Sequence, residues 1–413
     1  MKKEKGTKPL AYLFLLFIFF SPEITIANNE SIIFENATPP DFELKQGDRV
    51  VFLGNSLFEN ELQYGYLEFA LTSRWPDRDI TFRNLGWSGD TVFGEARSYY
   101  TTPPTPYDLM IQQLRDAKPT VVFIAYGANE AEGGEEGIES FNSGLHQLLE
   151  KIEEIGAESI LVSPIPFLTN ASSELAIKRN KNLQLYSSAI AKMAADQDKI
   201  FLDIMNPMLD LAESMPLSED GVHLNETGYY YLALLIEEKL GMSLRKWALQ
   251  INSGDQQVES NLSAELLSSQ LPIKVKVKEE LLPLPLPTLP IPLETERILR
   301  VVGLKKGYYT LSINESQVIT GSAKDWSEGI AIYQGAPYLQ SRLLLDLIVQ
   351  KNEMFFHQYR PQNRTYIIGF RSYEQGRHIK GLEDLEIIID YLEGQIKDLR
   401  VPQSNVYQLT AIH

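Results

Sequence analysis

Between Arg49 and about Leu240, short apolar or β-branched runs alternate with longer stretches whose apolar residues recur every three or four positions. The runs are Arg49–Leu53, Ile80–Leu85, Thr120–Tyr126, Ser159–Ser163 and Ile200–Asp203. They are short for helices and nearly unbroken in hydrophobicity, as strands covered on both faces must be. Between them, Ile138, Phe141, Leu145, Leu148, Leu149, Ile152 and Ile155 mark one face of a helix, with a second pattern over Ser173 to Ala195 and a closing helix at Thr227–Leu240. Strand–helix–strand alternation with right-handed crossovers leaves one main solution, a parallel sheet with helices on both faces. Ligands meet such a sheet at the carboxyl ends of its strands, so the residues that follow each run carry the most functional weight.

The pattern changes on either side. Lys2, Lys3, Lys5 and Lys8 precede an apolar run from Leu10 to Phe20, a Ser21-Pro22 break and the small residues around Ala27. This order is that of a secretory signal peptide, expected over 1–27, and the run is shorter than the ~20 residues of a spanning helix. A secreted or periplasmic bacterial protein follows as the expectation, with no stable membrane insertion once the leader is removed. The alternating domain is then assigned to 28–245. Polar, poorly periodic sequence and then Pro283, Pro285, Pro287, Pro290 and Pro292 suggest a linker over 246–296. Strand patterns at Ile298–Val302, Tyr308–Ile313 and Val318–Thr320, with a helix marked by Leu339, Leu343, Leu347 and Ile348, suggest a small α+β accessory module over 297–413.

Composition removes several kinds of chemistry. Lys and Arg number 38 against 55 Asp and Glu, a net charge of −17, which repels a phosphate backbone, so no nucleic-acid partner is expected. There are 0 cysteines, which excludes thiol catalysis and Cys-ligated metal. No histidine or acid cluster has a metal-ligand spacing, and no metal or cofactor is expected. Of the five histidines, His146 fits a solvated helix face and His378 and His413 lack a partner pattern. Glu353, His357 and Arg360 cluster near Phe355 and Phe356, an aromatic pair suited to docking the module onto its neighbour.

Four segments at strand exits then stand out. Gly54-Asn55-Ser56 follows the first run, Asn84-Leu85-Gly86-Trp87-Ser88-Gly89-Asp90-Thr91 the second, and Gly127-Ala128-Asn129-Glu130 the third. Each by itself is ordinary turn or capping chemistry. The fourth, Asp220-Gly221-Val222-His223, precedes the closing helix. A serine hydroxyl needs a base within hydrogen-bond reach, itself oriented by a carboxylate, and Asp220 and His223 can supply both from one loop. The joint occurrence in this chain order carries the inference.

With these segments in place, the sequence resembles the SGNH, or GDSL-type, esterase and lipase family over roughly residues 49–240. Its wider text also resembles large secreted members from Planctomycetes-like bacteria. The resemblance implies a flavodoxin-like three-layer αβα sandwich with a five-stranded parallel sheet, α/β in class, and a carboxylic ester hydrolase. Carried over residue by residue, it implies Ser56 as nucleophile, His223 as general base and Asp220 as its partner. The implied oxyanion hole is the N–H of Ser56, the N–H of Gly89 and the amide of Asn129. Gly89 is preferred to Gly86 because Ser88-Gly89-Asp90-Thr91 is similar to the family's Gly-Asp-Thr segment. Two departures stand out: Asn55 replaces the acid of Gly-Asp-Ser, and Glu130 replaces the second acid of Gly-x-Asn-Asp.

For the substrate, export and aromatics such as Trp87, Phe93, Tyr99 and Tyr100 favour short acyl esters on a carbohydrate, with Trp87 and Phe93 as candidate contacts. Two other readings remain open in the sequence: a glycan- or protein-binding scaffold with relic blocks, and a lysophospholipase-type lipid esterase. Reaction of Ser56 with an activated phosphonate separates the first from an enzyme.

Overall fold

The computed structural model describes residues 42–97, 104–168, 173–255, 257–289, 291, 297–361 and 378–412. The expected leader over 1–27, Tyr99, Tyr100 and His413 lie outside these residues. The first five strands are β1 (Arg49–Gly54), β2 (Thr81–Asn84), β3 (Val121–Ala125), β4 (Glu158–Val162) and β5 (Ile200–Leu202). They form one parallel sheet in the order β2-β1-β3-β4-β5. Each matches its expected run to within one residue at either end.

The unbroken hydrophobicity of these runs has the anticipated cause. Val50 and Phe52 of β1 and Val121 and Phe123 of β3 face one core, while Val51, Leu53, Val122 and Ile124 face another. Three helices, α1 (Ser56–Tyr64), α2 (Tyr66–Arg74) and, far along the chain, α7 (Glu226–Lys239), bury Phe58, Phe69 and Leu232 in the first core. Three others, α3 (Pro106–Ala117), α4 (Ile138–Ile155) and α5 (Glu174–Asp196), bury Met110, Leu148 and Ile190 in the second. A short α6 (Met205–Ala212) joins β5 to the loop before α7. The result is the three-layer αβα sandwich. Its sheet order reverses direction between β1 and β3, and that switch point opens a crevice beyond their carboxyl ends.

The expected linker over 246–296 is not what the chain builds. Residues 247–278 form β6 (Trp247–Asn252), β7 (Gln257–Ser260), β8 (Ser263–Ser268) and β9 (Ile273–Lys278). These pair with strands from beyond the proline-rich stretch: β10 (Arg297–Val302), β11 (Tyr308–Ile313), β12 (Ser316–Ser322), β13 (Ile330–Ala331) and β14 (Ser404–Ile412). The two sheets run β13-β10-β6-β7 and β12-β11-β14-β9-β8. Trp247, Leu249, Ile251, Val275, Val277, Leu299, Leu311 and Trp326, the last on α8 (Ala323–Glu328), share one core. The polar residues that suggested a linker are the outer half of alternating strands, as in Ile273-Lys-Val-Lys-Val-Lys, where Ile273, Val275 and Val277 are buried.

Pro283, Pro285 and Pro287 lie on a strap with neither helix nor strand, laid against the sandwich, while Pro290 and Pro292 lie outside the described residues. Leu282 and Leu284 are buried in the first core, the Leu282 carbonyl accepts from Arg245 at 2.7 Å, and the Thr288 N–H donates to Glu226 at 2.8 Å. Proline lacks an N–H, so a strap rich in it can be buried without stranding donors.

The long helix α9 (Ala336–Tyr359) packs on α1, α2 and β2, followed by α10 (His378–Leu399). Of the residues that marked it, its buried face takes in Leu347 and Ile348 but not the first two leucines. Leu339 and Leu343 are exposed, while Leu344, Leu345 and Ile348 join the first core and Phe355 the second. Lys351, buried, pairs with Glu68 at 2.8 Å and donates to the Phe82 carbonyl of β2 at 3.1 Å. An ammonium taken out of water is tolerable only with such partners. The turn between α1 and α2 is Gly65, at φ +70°, where a Cβ would stand 3.1 Å from the Leu345 side chain.

Candidate active site

Ser56 is the first residue of α1, immediately beyond β1. Gly54 is needed at the strand exit because a Cβ there would lie 2.6 Å from the Ala125 carbonyl of β3. Asn55 is the N-cap, its side-chain oxygen accepting from the Leu57 N–H at 3.0 Å. An amide oxygen performs that capping as a carboxylate would, which accounts for the tolerance of Asn55 in place of the usual acid. Ser56 therefore sits at a helix N-terminus, where unpaired N–H groups and the macrodipole favour negative charge.

The fourth segment forms a loop between α6 and α7, pinned by the buried Leu217 and Leu224 on either side. Gly221, at φ +79°, permits the tight turn. Asp220 Oδ1 accepts from the N–H groups of Val222 and His223, each at 2.8 Å, and Asp220 Oδ2 meets His223 Nδ1 at 2.7 Å. The hydrogen bonds from His223, backbone first and then ring, hold the Asp220 carboxyl well below the usual carboxylate range. Asp220 is thus ionised wherever a protein of this kind operates, and it orients the ring of His223.

One cavity of about 240 Å³ gathers these elements: Ser56, Asn129 and His223 all line it, with Asn60, Pro164, Phe167, Arg179 and Asn182. Asp220 lies behind His223, outside the wall. The side-chain amide of Asn129 donates to the Asp90 carbonyl at 2.7 Å, which orients it and ties the third segment to the second. Arg179 lies over the Phe167 ring at 4.8 Å and pairs with Glu132 at 3.4 Å. The Leu168 N–H donates to the Gly221 carbonyl at 2.7 Å, joining that wall to the histidine loop.

Gly89 occupies an exposed turn in which the Asp90 N–H donates to the Trp87 carbonyl at 3.0 Å. Its φ of +78° is the value a type II turn demands at its third position. The Gly89 N–H makes no hydrogen bond to another described residue.

Neither Gly89 nor the two expected substrate contacts, Trp87 and Phe93, are among the residues that line the cavity. Trp87 is buried, with the Arg360 guanidinium 3.7 Å and the Arg97 guanidinium 5.1 Å from its ring centre. Phe93 packs against α4, its ring only 2.6 Å from where a Cβ on Gly144 would stand. Both aromatics serve packing because the loop carrying them folds back onto its own scaffold.

Several supporting residues carried no separable sequence signal. Asp90, fully buried, accepts from Arg97 Nε and from the Tyr126 hydroxyl, each at 2.8 Å. Arg97 also donates to Gln113 at 2.7 Å and to the Leu85 carbonyl at 2.7 Å. Glu130 accepts from the Val92 and Gly127 N–H groups, each at 2.9 Å, so it staples the second segment to the third. Burial raises its pKa, against the pull of those N–H donors. The replacement of the usual second acid by Glu130 thus leaves an acid with a structural task.

The model of the GDSL-like lipase/acylhydrolase family matches residues 52–231, a span that contains Ser56, Gly89, Asn129, Asp220 and His223. The chain carries a GDSL-like lipase/acylhydrolase domain. That domain is a carboxylic ester hydrolase domain. Among solved structures, BT4096, a gut microbial diltiazem-metabolizing enzyme, is similar over 90% of this chain and 99% of its own, at 20% identity and a TM-score of 0.67. At that identity the likeness is one of fold. Axe2, an acetylxylan esterase from Geobacillus stearothermophilus, is similar over 49% of this chain and 98% of its own, at 17% identity and a TM-score of 0.39. No curated protein matches the chain. No helix among the described residues is long and apolar enough to cross a membrane.

Proposed function

We propose that the GDSL-like domain is an exported serine esterase that removes short acyl groups from a carbohydrate by a Ser56-His223-Asp220 triad. The observation that carries this reading is that Ser56, at a helix N-terminus, and His223, held by Asp220, line the same cavity. With Nδ1 of His223 committed to Asp220, Nε2 is the nitrogen left to take the Ser56 proton as Oγ attacks the ester carbonyl. Charge that develops on the carbonyl oxygen is met by the N–H groups of Ser56 and Gly89 and the amide of Asn129. Collapse expels the alcohol, which leaves with the proton held by His223. Water, deprotonated by the same imidazole, then cleaves the acyl-serine and restores the enzyme.

The size and lining of the cavity support the substrate class. A volume of about 240 Å³ is below the ~300 Å³ at which drug-sized ligands begin to fit, in keeping with an acetyl-sized acyl group. Asn60, Asn182 and the Arg179–Glu132 pair supply polar groups suited to hydroxyls, and Phe167 a flat face. Export rests on the lysine-then-apolar order of residues 1–27.

A fluorophosphonate probe tests the reading: capture at Ser56 in the folded protein, absent in Ser56→Ala, is the expected result, and no capture points to a non-catalytic scaffold. Across p-nitrophenyl esters, kcat/KM is expected to fall by roughly tenfold or more from acetate to octanoate as the cavity is outgrown. A preference for octanoate would refute the short-acyl assignment. Asn129→Ala is expected to lower kcat by about a hundredfold, the ordinary loss for one oxyanion donor, with KM little changed.

A further inference from the structure

We propose that Tyr359 and Arg360, at the end of α9, are positioning residues for the active site: they clamp the loop from Gly86 to Asp90 so that the Gly89 N–H is held where an oxyanion forms. The inference rests on the proposed role of Gly89 as an oxyanion donor and gives the C-terminal unit a part in the chemistry.

The loop is tied at both ends, by the Trp87 N–H donating to the Gly54 carbonyl at 2.9 Å and by the buried Asp90, and is open between them. Gly86 lies so close to α1 that a Cβ would stand 2.2 Å from the Glu59 nitrogen, and beyond it the turn through Ser88 and Gly89 is exposed. Three further contacts reach the loop at Gly86, Trp87 and Ser88, and all involve the helix end or a residue paired with it. The Tyr359 hydroxyl donates to the Gly86 carbonyl at 3.1 Å. The Arg360 guanidinium lies 3.7 Å from the Trp87 ring centre and also pairs with Glu59 at 3.0 Å. Glu59, on α1 one turn after Ser56, accepts the Ser88 N–H through its other carboxylate oxygen. Arg360 thus touches the loop through Trp87, and through Glu59 it fixes the acceptor of the amide next to Gly89.

The arrangement is stiff where it needs to be. Trp87 also meets Arg97, itself locked on Asp90, with the guanidinium 5.1 Å from the ring centre, so the indole contacts two guanidinium groups. Phe355, buried in the second core, stacks on Tyr359 at 5.1 Å and anchors the helix end. Desolvation pushes the Tyr359 phenol up to about 12, so it remains a donor at neutral pH. A planar, delocalised cation that stacks and pairs at once is a task for arginine rather than lysine.

The test uses the full-length protein with p-nitrophenyl acetate. Arg360→Ala is expected to lower kcat by about tenfold with KM within twofold, because a donor is loosened rather than removed. Tyr359→Phe, which loses only the hydroxyl, is expected to give a smaller loss of the same kind, and Arg360→Lys a value between wild type and Arg360→Ala. Hydrogen exchange at the amides of residues 88–90 is expected to quicken in Arg360→Ala while the thermal midpoint stays near that of wild type. Wild-type kcat and exchange in both variants would overturn the clamp, as would a kcat loss matched by a loss of folded protein. Ser56→Ala keeps the two readings apart. If it retains activity, the esterase assignment fails whatever Arg360→Ala does; if it is inactive while Arg360→Ala is normal, only the clamp fails.

Discussion

Ser56→Ala is expected to lower turnover of p-nitrophenyl acetate by on the order of 10⁴-fold or more while leaving the fold and substrate affinity nearly intact. The expectation follows from the position of the side chain. Ser56 begins α1, and its backbone N–H is available at that helix end whatever the side chain is, so alanine removes the nucleophile and spares the cap made by Asn55. Loss of the oxygen leaves the cavity, the imidazole and the oxyanion donors, which together retain only a residual acceleration over water. Steady-state kinetics with thermal unfolding as a control checks this. A variant that turns over at the wild-type rate would remove Ser56 from the mechanism.

Asp220→Asn is expected to cost about 10⁴-fold in kcat, again without unfolding the protein. The asparagine oxygen can still accept the Val222 and His223 N–H groups, so the loop keeps its shape. The group facing His223 Nδ1 then becomes an N–H donor, the imidazole proton moves to Nε2, and the nitrogen meant to accept the Ser56 proton is occupied. Asp220 has a second consequence for pH. Its pKa is depressed, so the stabilisation it contributes is present above the ordinary carboxylate range and is lost only as pH falls through the lower folded value. The group is more than half exposed, with its side chain at 55% of full accessibility, so water screens that contribution heavily. Steady-state kinetics checks the expected loss, and an Asp220→Asn protein that turned over at the wild-type rate would contradict the role given to Asp220.

Much of the sandwich was legible because its strands are covered on both faces. Such a strand needs an apolar residue at nearly every position, and Val121-Val122-Phe123-Ile124-Ala125 shows that need locally. Strand ends in a doubly wound sheet are also where ligands bind, so Ser56, Asn129 and the Asp220–His223 pair could be singled out from chain order alone. The strands over 247–278 were not legible in the same way. Half of each faces outward and is polar, and its partners lie far along the chain, as when Ile273 of β9 pairs with Leu409 of β14. The places of Trp87 and Phe93, away from the cavity lining, were not legible for a related reason. An aromatic on a loop has no local mark of whether it meets solvent, a ligand or the protein itself, and Trp87 meets an arginine 273 residues away.

The amino-acid sequence by itself determined the parallel sheet, the order of its helices and the residue types gathered at its switch point, because periodicity and turn chemistry act between near neighbours. Only the tertiary structure decided that residues 247–278 complete a β unit, that Asp90 and Glu130 knit the site loops together, and that Tyr359 and Arg360 meet Gly86 and Trp87. Those outcomes depend on contacts between segments tens to hundreds of residues apart, which arise when buried charge and apolar surface must find partners in three dimensions.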